Sequence, residues 1–142
     1  MSAVPRPEHR PKPFGARSAL RVASVAIVAA LALHAAAWEL WLAPLRPGGS
    51  MLAVKSLPLL VAAWALWHRG TRAFLWCSLL MLPYVAEGVA RGLTDAARSA
   101  LHGWIQFVLA AIACTLILAF VRSAVRRAAA DAAARRRPDE LA

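Results

Sequence analysis

The residues of this chain with the most chemical potential are three charged side chains set in apolar surroundings: Glu39, Lys55 and Glu87. An ionised group in a membrane costs about 2.5 kcal/mol or more at the bilayer centre and less near an interface, so such groups turn toward partners and mark candidate sites. Counted from the ends of the apolar blocks that hold them (22–43, 51–67 and 73–90), they lie four, four and three residues from what a four-span topology makes one membrane face. At 1.5 Å per residue, all three sit about 4 to 6 Å inside the same leaflet. Two carboxylates and one ammonium on one level can compensate each other, with Lys55 as the bridge. Full ionisation of this trio leaves a net negative charge, which favours a proton on one carboxyl. Tyr84, three residues before Glu87, shares its helix face, and His102 and Gln106, four apart, form a comparable stripe on the next apolar block. Two roles fit this pattern: a small polar site opening to the periplasm, or a set of charges that staples the spans together and reaches toward headgroups.

Other chemistry finds less support. His34 lies about 13 Å from the outer end of its block and His102 under 2 Å from the start of its own, so the two are not level enough for a bis-histidine haem. Cys77 and Cys114 sit at similar depths, four and seven residues from the opposite ends of their blocks, without a CxxC or other metal spacing. They read as small apolar residues that could touch. No Ser-His-Asp order, HExxH, phosphate-binding loop or dinucleotide motif occurs. The expectation is a protein without enzymatic activity, metal or cofactor. Pro58 and Pro83 would each free the carbonyl four residues earlier, at Val54 and Leu79, and Gly88 with Gly92 forms a small-residue packing notch.

The elements that position these residues follow from hydropathy. Of 142 residues 61% are apolar, yet 17 basic residues stand against 7 acidic ones, for a formal charge of +10. A water-soluble core of this size could not use so much apolar sequence without leaving large exposed patches. The apolar residues instead fall into four blocks, 22–43, 51–67, 73–90 and 101–121, with all the basic residues but Lys55 between and outside them. Blocks of 17 to 22 residues match a hydrocarbon core of about 30 Å. The fold class expected is all-α, a four-helix transmembrane bundle spanning 22–121, flanked by a basic, proline-rich lead over 1–21 and a basic helix and tail over 122–142. Prolines and glycines at 44, 47, 48 and 49 break the chain after the first block, and His68-Arg69-Gly70-Thr71-Arg72 forms a tight hairpin after the second.

Four spans put both termini on one side. Arg6, Arg10, Lys12, Arg17 and Arg21, the hairpin's Arg69 and Arg72, and Arg122, Arg126, Arg127, Arg135, Arg136 and Arg137 lie there, against Arg46, Arg91 and Arg98 opposite. The positive-inside rule makes the first side cytoplasmic, in a bacterial inner membrane. Trp38, Trp41 and Trp104 then belong to an outer aromatic belt and Trp64, Trp67 and Trp76 to an inner one. A cleaved signal peptide is the competing reading of the first block, since Ala35-Ala36-Ala37 follows a charged lead and an apolar run, but that run continues through Trp38, Leu40, Trp41 and Leu42. The lead, with prolines at 5, 7, 11 and 13, cannot bury enough apolar area to order itself. The Ala/Arg tail is built of strong helix formers up to Pro138 and suits anionic lipid headgroups; it lacks the stacking and base-reading groups of a nucleic-acid binder. The partners expected are therefore the bilayer, its anionic lipids, and a second membrane protein or further copies of this chain.

The run Pro44-Leu45-Arg46-Pro47-Gly48-Gly49-Ser50, then Lys55-Ser56-Leu57-Pro58-Leu59-Leu60 and Tyr84-Val85-Ala86-Glu87-Gly88, resembles a family of small predicted bacterial inner-membrane proteins classed as a domain of unknown function. The likeness covers about residues 20 to 122, and its motif positions correspond to Arg46, Lys55, Pro58, Tyr84, Glu87 and Gly88; they overlap the polar cluster, to which the resemblance adds Arg46. It implies a bacterial four-span protein and supplies no activity. The functional expectation is an integral membrane protein acting as an accessory or assembly subunit, with a small oligomeric transporter or ion-coupled carrier as the alternative.

Overall fold

The computed structural model describes residues 15–42 and 54–136, and every element among them is helical. Helix α1 (Ala16–Ala37) continues through a π-helical turn, Trp38–Leu42. Helix α2 (Ser56–His68) follows a short 3₁₀ turn at Val54 and Lys55, α3 is Thr71–Thr94, and α4 is Ala97–Arg136. The predicted connection around Pro44–Ser50, the N-terminal lead up to residue 14 and the chain beyond Arg136 lie outside the described residues.

Three helices are long and apolar enough to cross a membrane: Ala16–Leu40, Thr71–Thr94 and Ala97–Arg136. Helix α2 has 13 residues and covers about 20 Å, short of a 30 Å core by itself. Pro58 falls in its first turn, where a backbone N–H has no helical partner in any case, so no hydrogen bond to Val54 is broken there. Pro83 stands inside α3, which runs through it. Helix α4, at 40 residues and about 60 Å, is twice the thickness of a bilayer core; from Val125 to Arg136 every residue is exposed.

The polarity of the molecule is reversed relative to a water-soluble protein. Ser24, Glu39, Ser56 and Gln106 are buried, while Leu33, Val61, Trp76, Leu79 and Leu93 are more than half exposed. An outer surface of this kind is stable only against lipid. The four helices run up and down: the start of α1 meets the α2–α3 hairpin, where Arg21 donates to the carbonyls of Trp67 and Arg69, and Arg17 donates to the Thr71 hydroxyl. Phe74 stacks on Phe120 at 3.7 Å between centroids, with the Arg17 guanidinium 4.9 Å from the Phe120 ring. Helix α1 packs on both α2 and α4, α3 packs extensively on α4, and α2 touches α3 little.

The α3–α4 seam is a backbone-to-backbone contact. A Cβ on Gly103 would stand 2.6 Å from the Gly92 nitrogen and 3.0 Å from the Gly88 oxygen, and one on Gly88 would stand 2.6 Å from the Phe107 nitrogen. The Gly88/Gly92 notch expected from the sequence is thus filled by the opposing helix, with Gly103 as its counterpart.

Candidate functional site

At the end of the bundle opposite the α2–α3 hairpin, α1, α2, α3 and α4 each deliver a polar side chain to one place. Lys55, capping the start of α2, extends its Nζ to 3.0 Å from Glu39 Oε1 and 2.5 Å from Glu87 Oε1. The level computed from rise per residue therefore brings together all three charges, with Lys55 between the carboxylates. Glu39 sits in the π-helical turn and is fully buried, as is Trp38 before it, both continuing the buried face of α1 that carries Leu31, Ala32 and Ala35. Tyr84 donates its hydroxyl to the Lys55 carbonyl at 2.6 Å, holding the start of α2 against α3. Gln106 reaches across from α4, donating to Glu87 Oε2 at 3.0 Å and to the Tyr84 carbonyl at 3.2 Å.

The residue that sequence reasoning missed is Arg91. Assigned to an outer loop because the apolar block ends at Ala90, it instead occupies the next turn of α3, which continues to Thr94. Its Nη1 donates to Glu39 Oε1 and lies 3.5 Å from Glu87 Oε1, while its Nε donates to Asp95 Oδ2 at 3.1 Å. The i,i+4 spacing of Glu87 to Arg91 and of Arg91 to Asp95 was the available signal. Arg91 also changes the electrostatics. Two carboxylates, Glu39 and Glu87, face two cations, Lys55 and Arg91, and Arg91 is shared in turn with Asp95. Asp95, at the turn between α3 and α4, accepts from the Ser99 hydroxyl at 2.6 Å as well as from Arg91, and these contacts hold its carboxyl below the usual range.

Trp38 differs from its expected place in an aromatic belt. It is fully buried, with the Arg91 guanidinium 3.9 Å and the Lys55 ammonium 5.1 Å from its ring centroid. Both cations lie in reach of one indole ring, which adds attraction where water is scarce. The side chain of Trp41 lies outside the described residues, whereas Trp64, Trp67, Trp76 and Trp104 are outward and exposed. His34 and His102, separated by depth in the sequence reading, meet: their ring centroids are 5.6 Å apart, and His34 Nε2 donates to the His102 carbonyl at 3.2 Å. Helix α4 starts at Ala97, which sets His102 about 7 Å into the helix, while α1 runs helically to Leu42, so the levels nearly converge. Trp38 packs on both rings. His102 thus belongs to this aromatic annex and Gln106 to the charged centre. Arg46 lies outside the described residues.

Cys77 and Cys114 are both free; Cys77 is buried and its thiol faces the Ala62 carbonyl at 3.8 Å. Among the described residues no group of three or more His, Cys, Asp or Glu side chains is arranged to hold a metal ion.

Five buried polar atoms have no hydrogen-bond partner among the described residues: Trp38 Nε1, Glu39 Oε2, Arg91 Nη2, His102 Nδ1 and Gln106 Oε1. All belong to this centre and its annex, and they comprise two donors, two acceptors and an imidazole nitrogen. Each such atom left unpaired costs about 1 to 3 kcal/mol, so their concentration in one place is characteristic of a built polar site.

Compared with known proteins, residues 22–125 match the model of a family described as "Predicted membrane protein (DUF2069)". No curated protein and no solved structure matches the chain.

Proposed function

The chain belongs to the DUF2069 family of predicted membrane proteins, and on that premise we propose that it binds a small, polar, net-neutral solute in the centre formed by Glu39, Lys55, Glu87 and Arg91, as a small carrier does. The observation that carries this reading is the set of five buried atoms without a partner among the described residues, around a core in which every charge is already paired. That pairing disfavours a lone ion of either sign, whereas a zwitterion or a dipolar solute offers donors to Glu39 Oε2 and Gln106 Oε1 and acceptors to Arg91 Nη2 and Trp38 Nε1. Four helices of this length enclose little space, so the working unit is an oligomer. The site faces the periplasm and both termini face the cytoplasm of a bacterial inner membrane, a reading supported by the distribution of arginines between the ends of the bundle. The basic flanks rest on anionic lipid and not on nucleic acid.

The test is a thermal-shift screen of the full chain in detergent against zwitterionic amino acids and neutral polar solutes such as urea and polyols. A ligand at a hundred times its Kd stabilises by about 2.7 kcal/mol. Binding predicts a rise with at least one class that Glu87→Gln abolishes, and that ligand should exchange across proteoliposomes. A screen without a single stabilising solute would sink the proposal.

A second reading is favoured by the ion pairs themselves: the same charges fix helix packing in an accessory or assembly subunit. It predicts no ligand, and co-purification with another membrane protein from the native membrane.

A further inference from the structure

Helices α2 and α3 are joined by Arg69 and Gly70 alone and touch each other little, leaving an open groove of about 800 Å³ between them. Small residues, Ala62, Ala65, Ala73 and Cys77, form its floor, and Trp76 stands at its edge, 69% exposed. From Arg69 to Pro58 the groove follows eleven residues of α2, about 16 Å. That is half of a hydrocarbon core of about 30 Å, the depth of one leaflet.

Charge is confined to one end. Arg69 and Arg72 are the charged residues lining the groove, and both stand at the hairpin, where a spanning helix pair meets the membrane surface. Arg72 is exposed and has no hydrogen bond or ion pair among the described residues; the Arg69 guanidinium lies 5.4 Å from the Trp64 ring. The two-residue connection holds α2 and α3 together at that end, which places both guanidinium groups beside one mouth of the apolar groove, as a lipid headgroup above its acyl chain requires.

We propose that this groove binds one phospholipid with an anionic headgroup, its acyl chain lying between α2 and α3 and its phosphate held by Arg69 and Arg72. The inference is independent of the polar site at the other end of the bundle and of which membrane face the hairpin occupies. It differs from general attraction of a basic tail to lipid, because the ligand is one molecule in a fixed place.

The experiment is native mass spectrometry of the full chain in detergent, titrated with dioleoyl-phosphatidylglycerol or with dioleoyl-phosphatidylcholine. The expected result is a single phosphatidylglycerol adduct surviving activation that strips phosphatidylcholine. Arg69→Gln/Arg72→Gln lowers phosphatidylglycerol affinity about thirtyfold, the loss of two surface charges from an anionic headgroup. Ala73→Leu, which fills the floor and keeps both arginines, weakens both lipids and reports on the groove should the double variant not fold. Equal retention of the two lipids, displacement of the adduct by millimolar inorganic phosphate, or a lipid-free dimer that Ala73→Leu converts to monomer would each overturn the proposal.

Discussion

Replacing Lys55 with methionine keeps the length and apolar stem of the side chain and removes only its charge. In the native bundle that ammonium touches both Glu39, which is fully buried, and Glu87. Removing one partner of a buried ion pair costs about 3 to 5 kcal/mol, because the remaining charge is stranded. Two features reduce the figure here: the Lys55 side chain is 16% exposed, and Arg91 still reaches both carboxylates. A loss of about 2 to 3 kcal/mol follows, which for a chain of 142 residues is a fall in Tm of about 7 to 10 °C. The decisive measurement is not that fall but its reversal. Adding Glu39→Gln and Glu87→Gln to Lys55→Met removes the stranded carboxylates and leaves Arg91 paired with Asp95, so it should recover part of the loss, read as thermal unfolding in one detergent. Strictly additive losses, with the triple variant less stable than Lys55→Met, would refute the idea that these four side chains form one compensated unit.

Three further outcomes are expected. Gly103→Ala forces a Cβ against the Gly92 nitrogen and should cost about 1 to 3 kcal/mol as α3 and α4 separate, while Gly70→Ser, in open space at the start of α3, should change Tm little. Tyr84→Phe removes the hydroxyl's bond to the Lys55 carbonyl and should lower stability by about 1 kcal/mol, measured the same way. Asp95, whose carboxyl is held below its usual range by Ser99 and Arg91, contributes stability that is present above the ordinary carboxylate pKa and is lost as pH falls through the depressed one. Unfolding followed from pH 6 down to pH 2 should therefore show an acid-side loss that Asp95→Asn flattens.

How far the sequence could be read is visible in particular residues. Glu39, Lys55 and Glu87 were legible because a helix converts residue count into depth, and three apolar blocks gave three independent rulers. Tyr84 and Gln106 followed from helical facing. Arg91 was missed because the end of an apolar block was taken as the end of a helix. An interior-facing arginine at the next turn breaks hydropathy without breaking the helix, provided acidic partners meet it. The same edge effect misplaced His102, since α4 begins four residues before its apolar block does. Trp38 escaped for a different reason: whether an interfacial tryptophan faces lipid or neighbours depends on rotation about the helix axis. Trp38 continues the buried face of α1, three residues after Ala35 and seven after Leu31, a face that hydropathy alone does not separate from the lipid-facing one. Gly88 and Gly92 were recognisable as a notch, whereas Gly103, four residues after Ser99, stands at the edge of an apolar block, beyond which the helical spacing was not followed.

The distribution of the four central charges along the chain bears on the order in which the molecule can be assembled. The first half contributes Glu39 and Lys55, 3.0 Å apart, and the second half contributes Glu87 and Arg91, one helical turn apart. Each half thus carries its own counter-charge, Lys55 for Glu39 in the first and Arg91 for Glu87 and Asp95 in the second, before it meets the other. Helices that enter a bilayer ahead of their association need not carry an uncompensated charge while they wait. Docking the halves then only exchanges partners, as Lys55 gains Glu87 and Arg91 gains Glu39, so the most polar part of the protein can be completed last.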